Sequence, residues 1–351
     1  MPLKTPSWWY GPPSLRHGLL GAVLTPIGWC FDYATQFRFA RSQPYRAGLP
    51  VVCVGNLTAG GTGKTPISMA IARLAIDLGY NPAFLTRGHG GRLSGPLLVT
   101  SSQSADEVGD EPILLSAVAS TVVAKDRAAG AQFIEKLPGA HDLIIMDDGL
   151  QNPTLTKDLS LAVIDHRRLL GNGRVIPAGP LRGTLTFQLR LVDVVLMNVG
   201  VLRNATDIPS VETPKLPTQQ VSDFGVCGYV SAPLADGVAQ DGLIAFAGIG
   251  DPQRFFSMLE RDGHRLIEQH AFADHAPLLD AQAQALLSAA DRSRAALVTT
   301  AKDFARLSQH RESHRRLAAR CHVVDITAVF ETSCEALLRR RLRELRIKNF
   351  S

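Results

Sequence analysis

The residues Gly60-Gly61-Thr62-Gly63-Lys64-Thr65 stand directly after the uncharged run "VVCVGN". Glycines that can turn backbone N–H groups inward, followed by lysine and threonine at the start of an expected helix, make a cradle for an anion. The nucleotide-loop pattern is G-x-x-x-x-G-K-[ST]. Gly63-Lys64-Thr65 complete it, while Thr58 stands at the first glycine position and Ala59 follows. In such a loop Lys64 reaches the β- and γ-phosphates and the Thr65 hydroxyl faces Mg²⁺. A merely flexible strand–helix connection leaves this set of residue types unexplained. Residues Thr58 to Thr65 therefore read as a site for a nucleoside triphosphate with magnesium.

A loop of this kind needs an acidic partner at the end of a neighbouring apolar strand. "LIIMDDG" supplies it: Leu143 to Met146 are buried-strand material, and Asp147 and Asp148 follow. Either carboxylate could approach the metal, and Asp147, nearer the strand, is favoured.

These residues need a scaffold, and from about residue 50 the chain alternates short apolar runs with helical stretches. "PAFLTRG", "HDLIIMDDG", "LSLAVIDH" and "VDVVLMNVG" each end in polar residues or glycine. This pattern predicts an α/β fold with a doubly wound, mostly parallel sheet and ligand groups at the carboxyl ends of its strands. Residues 203–220 are polar and hold three prolines, which suggests a linker. "LIAFAGIG", "DPQRFFSMLERDGH" and "AALVTTAKD" then predict a second, smaller α/β domain. The expected division is an N-terminal segment 1–46, a phosphate-loop domain 47–202, a linker 203–230 and a second domain 231–351. The basic C-terminal "EALLRRRLRELRI" reads as a packed helix with a solvated arginine face.

A chain of 351 residues, 45% hydrophobic, can bury two cores. Its net charge of +5 favours acidic partners such as phosphorylated substrates or anionic lipid. Nucleic acid is not expected, because aromatics are few and no stacking or zinc-finger motif occurs. The five scattered cysteines, without CxxC, argue against disulfides and a zinc site. No cleavable signal peptide is evident. Residues 18–31 carry no charge but are too short to span a bilayer, and Pro26 interrupts them. Trp8, Trp9, Trp29, Phe31, Tyr33, Phe37 and Phe39 surround this run, and Arg38, Arg41 and Arg46 follow it. Aromatic and basic residues around a short apolar stretch suit a helix lying in a membrane interface. A buried N-terminal helix is the alternative.

Further polar strings remain: Arg87 in "LTRGHGG", Asp110 and Glu111 in "VGDEP", Arg127 in "VAKDR", Arg182 in "GNGRVIPAGPLR", and Asp274-His275 in "FADH". Taken singly, each is an ordinary surface cation, helix start or turn. Together with "VGNLTAGGTGKTP", "MDDGLQN" and "FAGIGDPQRF", in this order, they closely resemble the tetraacyldisaccharide 4′-kinases, the lipid A 4′-kinases of Gram-negative bacteria. The resemblance runs from about residue 8 to residue 305.

It implies a monomeric kinase at the cytoplasmic face of the inner membrane, anchored through its N-terminal helix. Such an enzyme moves the γ-phosphoryl of ATP, with Mg²⁺, onto the 4′-hydroxyl of a tetraacyldisaccharide 1-phosphate to form lipid IVA. By the same resemblance Asp110 is the base that takes the hydroxyl proton, supported by His275 from the second domain. Lys64, with Arg127 or Arg182, would neutralise charge on the transferring group. Gly183 departs from the family, which usually has glutamate after "PAGPLR". Rival readings are a phosphate-loop kinase of another polar acceptor and a membrane-bound nucleotide switch. The switch wants N-K-x-D, which "TAKD" at Thr300 to Asp303 matches poorly.

Overall fold

The computed structural model describes residues 6–11, 15–61, 63–211, 221, 223–234, 242–274, 276–307 and 311–348. Thr62 and His275, both expected at the site, lie outside the described residues. The chain opens with α1 (Leu15–Arg41). Strand and helix then alternate through β1 (Val51–Asn56), α2 (Lys64–Asp77), β2 (Pro82–Thr86), β3 (Leu97–Leu98), α3 (Ala105–Val108), α4 (Asp110–Ser116), β4 (Ser120–Val123) and α5 (Arg127–Ile134). Next come β5 (Leu143–Asp147), β6 (Leu159–Asp165), α6 (Leu185–Leu189), β7 (Val194–Leu202) and β8 (Asp223–Ser231). A second run comprises β9 (Leu243–Ala247), α7 (Pro252–Arg261), β10 (Leu266–Ala271), α8 (Asp280–Ser293), β11 (Ala296–Thr300), α9 (Ala301–Ala305), α10 (Glu312–Arg320) and β12 (Cys321–Val324). β13 (Ile326–Phe330) and α11 (Thr332–Lys348) close the chain.

Among the described residues the strands form a nine-stranded sheet ordered β13-β8-β7-β6-β1-β5-β2-β4-β3 and a four-stranded sheet ordered β10-β9-β11-β12. Every pairing from β8 across to β4 is parallel, and only the edge strands β13 and β3 run antiparallel. β1, β2, β5 and β6 are buried along their whole length. Helices cover both faces of such a sheet, so its inner strands read as unbroken apolar runs. The order reverses at β1, between β6 and β5, and the phosphate loop leaves β1 at this switch point.

The linker and the second domain are drawn differently from the sequence expectation. Residues 223–230 belong to β8, a full strand of the large sheet paired in parallel with β7. After β12 the chain returns, and β13 pairs antiparallel with β8. The smaller unit therefore runs from β9 to β12 and is inserted between two neighbouring strands of the larger one. The polar, proline-bearing stretch before β8 masked the alternation in "DFGVCGYVS". α11 also belongs to the large unit: Cys334, Leu338, Leu342 and Leu345, spaced for one helix face, bury in the core that α2 shares. Each buried leucine contributes about 1.5–3 kcal/mol of transfer free energy. Arg340 stays exposed, as the packed-helix reading expected.

α1 continues through Pro26 without breaking. Its buried positions are Gly21, Gly28, Asp32 and Thr35, whereas Leu19, Leu20, Val23, Ile27, Trp29, Phe31, Tyr33 and Phe37 are exposed. The two glycines let the helix backbone approach the loop 172–184. A β-carbon at Gly28 would lie 3.0 Å from the Val175 carbonyl oxygen. The usual arrangement is thus inverted, with small residues inward and large apolar residues outward. No helix among the described residues is long and apolar enough to cross a membrane.

Candidate active site

The phosphate loop joins β1 to α2, and two glycines set its shape. Gly60 has φ 111° and Gly63 φ 77°, a region in which a side chain is strained. The loop is clamped from the side by residues 180–182. Ala59 N–H donates to the Pro180 carbonyl at 2.7 Å, and Arg182 N–H donates to the Leu57 carbonyl at 2.9 Å. Thr58 is buried and bridges Leu181. Gly61 is open, with nothing near the position a β-carbon would take. Lys64 and Thr65 begin α2, so their unsatisfied N–H groups and the positive helix end face the cradle.

The two aspartates after β5 have separate surroundings. Asp147 is buried, its Oδ1 accepting from the Ser68 hydroxyl at 2.7 Å and its Oδ2 from the Thr65 hydroxyl at 3.4 Å. Burial, with Glu111 adding like charge, pushes its carboxyl up to about 7. Asp148 takes a left-handed turn, φ 52°, and faces Arg182, which donates at 2.8 and 3.3 Å to its two oxygens. Lys64 Nζ lies 3.7 Å away. Burial opposes ionisation of Asp148, but Lys64 and Arg182 outweigh it and hold the carboxyl at about 2. Among the described residues no cation forms a salt bridge with Asp147. The Thr65 hydroxyl and the Asp147 carboxylate are therefore the oxygen pair that suits a hard divalent cation, while Asp148 already has its positive partners.

Arg127 opens α5, is 3% exposed, and donates to the Ala124 carbonyl. Burial pushes its guanidinium down to about 10, although Asp148 opposes this. Its Nε has no partner among the described residues, and it lines the same cleft as Lys64. A dry cation beside that cleft is suited to an anion.

Asp110 opens α4 and is 3% exposed. Its Oδ1 accepts the Glu111 N–H at 3.0 Å. Its Oδ2 accepts from Arg306 Nε at 2.8 Å and also from Arg306 Nη2. Lys302 Nζ lies 3.8 Å from the same oxygen and 3.4 Å from Glu111. Both cations come from the second unit, and Arg306 is itself tied to Gly248 and Asp303 there. A second pair crosses elsewhere: Arg254 of α7 donates to Asp165, at the end of β6, at 2.9 Å. The cleft of about 1530 Å³ between the units is lined by Lys64, Thr65, Asp147, Asp148, Arg127, Arg182, Glu111, Lys302 and Asp274. It continues to Phe37, Arg38 and Arg41 of α1.

The sequence profile of the tetraacyldisaccharide-1-P 4′-kinases matches residues 20–343. The tetraacyldisaccharide 4′-kinase of Methylorubrum populi is 43% identical over 97% of this chain and 98% of its own length. That of a Bradyrhizobium species is 40% identical over 98% and 99%. The chain belongs to this family. Among solved structures, LpxK from Aquifex aeolicus in complex with ATP is similar in fold, with TM-score 0.69 at 23% identity, covering 93% of this chain and 99% of that one.

A carboxylate stands beside Gly183. Asp32 of α1 has Oδ1 3.3 Å from where a Gly183 β-carbon would sit, and it accepts the Thr184 N–H at 2.7 Å. Asp32 carried no sequence signal, since a single acid in an apolar helix is unremarkable. Ser68, Lys302 and Arg306 were also missed. Ser68 was findable, four residues after Lys64 and hence on the helix face of the loop. Lys302 and Arg306 meet Asp110 only through the tertiary fold.

Proposed function

We propose that the protein transfers the γ-phosphoryl group of ATP to the 4′-hydroxyl of a tetraacyldisaccharide 1-phosphate, giving lipid IVA. One observation carries the reading beyond family membership. A single cleft runs from the phosphate-loop lysine to a helix whose large apolar residues face outward. One end suits a triphosphate and the other an acylated acceptor.

In this reading Lys64 and the loop N–H groups hold the β- and γ-phosphates, and Arg127 offers its guanidinium to the group in transit. Thr65 and Asp147 would hold Mg²⁺, which supplies charge neutralisation across the phosphates. Arg182 aligns Asp148, and the Asp148 carboxylate keeps Lys64 close by. Asp110 takes the proton of the attacking hydroxyl, and His275 supports it. The cations that hold Asp110 come from the second unit, Lys302 on α9 and Arg306 at its C-terminal cap, so the placement of the base depends on the contact between the two units.

The direct test incubates the protein with γ-labelled ATP and a tetraacyldisaccharide 1-phosphate in detergent. Label is expected in the lipid. Label released only as inorganic phosphate would reject the kinase reading and favour a hydrolytic switch.

α1 would lie on the cytoplasmic face of the inner membrane, its outward side chains in the lipid. Arg38 and Arg41 flank that face, Arg41 stacking over the Phe37 ring at 4.3 Å. Each cation near an anionic surface is worth about 1 kcal/mol. The double change Arg38→Glu and Arg41→Glu is expected to weaken co-sedimentation with anionic vesicles about tenfold or more. Unchanged sedimentation would remove these arginines from membrane binding.

A further inference from the structure

Gly63, the glycine immediately before Lys64, is fixed by a residue far along the chain. The Tyr229 hydroxyl donates to the Gly63 carbonyl at 2.8 Å and accepts from Asn198 Nδ2 at 2.8 Å. Asn198 in turn accepts the Gly200 N–H at 2.9 Å, so the tyrosine's other partner is held too. The fit leaves no room: a β-carbon at Gly63 would lie 1.9 Å from the tyrosine oxygen. The ring is buried.

The peptide between Gly63 and Lys64 is planar, so its C=O and N–H point in opposite directions. Holding the carbonyl against Tyr229 turns the Lys64 N–H to the other side. α2 starts at Lys64, so that N–H has no acceptor within the helix and is available to an anion in the loop. Tyr229 also has a telling address. It lies on β8, flanked by Val201 of β7 and Ala328 of β13. The chain enters the second unit after β8 and leaves it into β13.

We infer that Tyr229 is a positioning residue for nucleotide binding. Its hydroxyl aims the Lys64 amide into the phosphate cradle, and it does so from the strand pair that carries the second unit. The inference rests on the reading that this loop holds ATP phosphates.

The test is Tyr229→Phe in the full chain, which keeps the ring and removes one hydroxyl. The Kd for MgADP by calorimetry, and the KM for ATP, are expected to rise about tenfold, the worth of one well-placed hydrogen bond. The KM for the lipid acceptor stays unchanged, a split that a general loss of stability would not give. Unchanged MgADP affinity with a lowered Tm overturns the inference and leaves Tyr229 a packing residue. Lys64→Ala, measured alongside, separates the two levels. If it still binds MgADP as the parent does, the loop reading itself falls. If it loses binding while Tyr229→Phe keeps it, only the tyrosine inference falls. Should Tyr229→Phe fail to fold, hydrogen exchange on the unaltered protein decides. Exchange of the Lys64 amide slows on adding MgADP if that amide faces the phosphate, and no change overturns the proposal.

Discussion

Asp110→Asn is expected to lower kcat by about 10²–10⁴-fold, the usual cost of removing a general base. The affinity for ATP is expected to stay near that of the parent, because Glu111, Lys302 and Arg306, which hold Asp110, lie outside the phosphate loop. The change also leaves Arg306 and Lys302 facing an uncharged amide, and breaking a buried pair in this way costs about 3–5 kcal/mol. The variant should therefore melt earlier, and kcat must be measured well below its Tm. With that control, turnover and stability give separate answers. A variant that melts earlier yet turns over at the parental rate would reduce Asp110 to an anchor between the two units and remove it from the chemistry.

Asp147→Asn is expected to move stability and activity in opposite directions. Burial pushes this carboxyl up to about 7 in the folded protein, against about 4 in an unfolded chain. A folded pKa above the unfolded one means that the native state holds the proton more tightly. Native stability then declines as pH rises from about 4 to about 7, and above that the full cost of a buried carboxylate remains. Asparagine removes the cost and keeps the Ser68 hydroxyl supplied with an acceptor. The metal-free variant should match the parent Tm at pH 4 and exceed it at pH 8 by several degrees. Turnover with MgATP should fall by about 10²–10³-fold, as for loss of a fixed charge-stabilising group. Equal melting temperatures at pH 8 would contradict the raised carboxyl. Retained turnover would shift the metal role to Asp148.

How far these residues were legible in the sequence followed how local their interactions are. The phosphate loop was plain because its parts are consecutive, and Asp147 because an apolar strand runs straight into it. The choice between Asp147 and Asp148 was not plain, since adjacent strand-end residues face opposite ways. Only the positions of Arg182, Ser68 and Thr65 separate them. The cations at Asp110 are nearly two hundred residues away in sequence, and no local pattern announces them. The return of β13 and α11 to the large sheet was hidden for the same reason. Pro26 looked like an end to α1, yet the helix passes through it, docked along its length through Gly21, Gly28 and Asp32.

The outward face of that helix has a consequence for handling the protein. In plain buffer, more than half of the surface of Trp29, Ile27 and Val23 meets water, so clumping is the expected result and micelles the expected remedy. If α1 lies in a bilayer, as proposed, the same side chains would turn a three-dimensional hunt for an insoluble acceptor into a search across a plane.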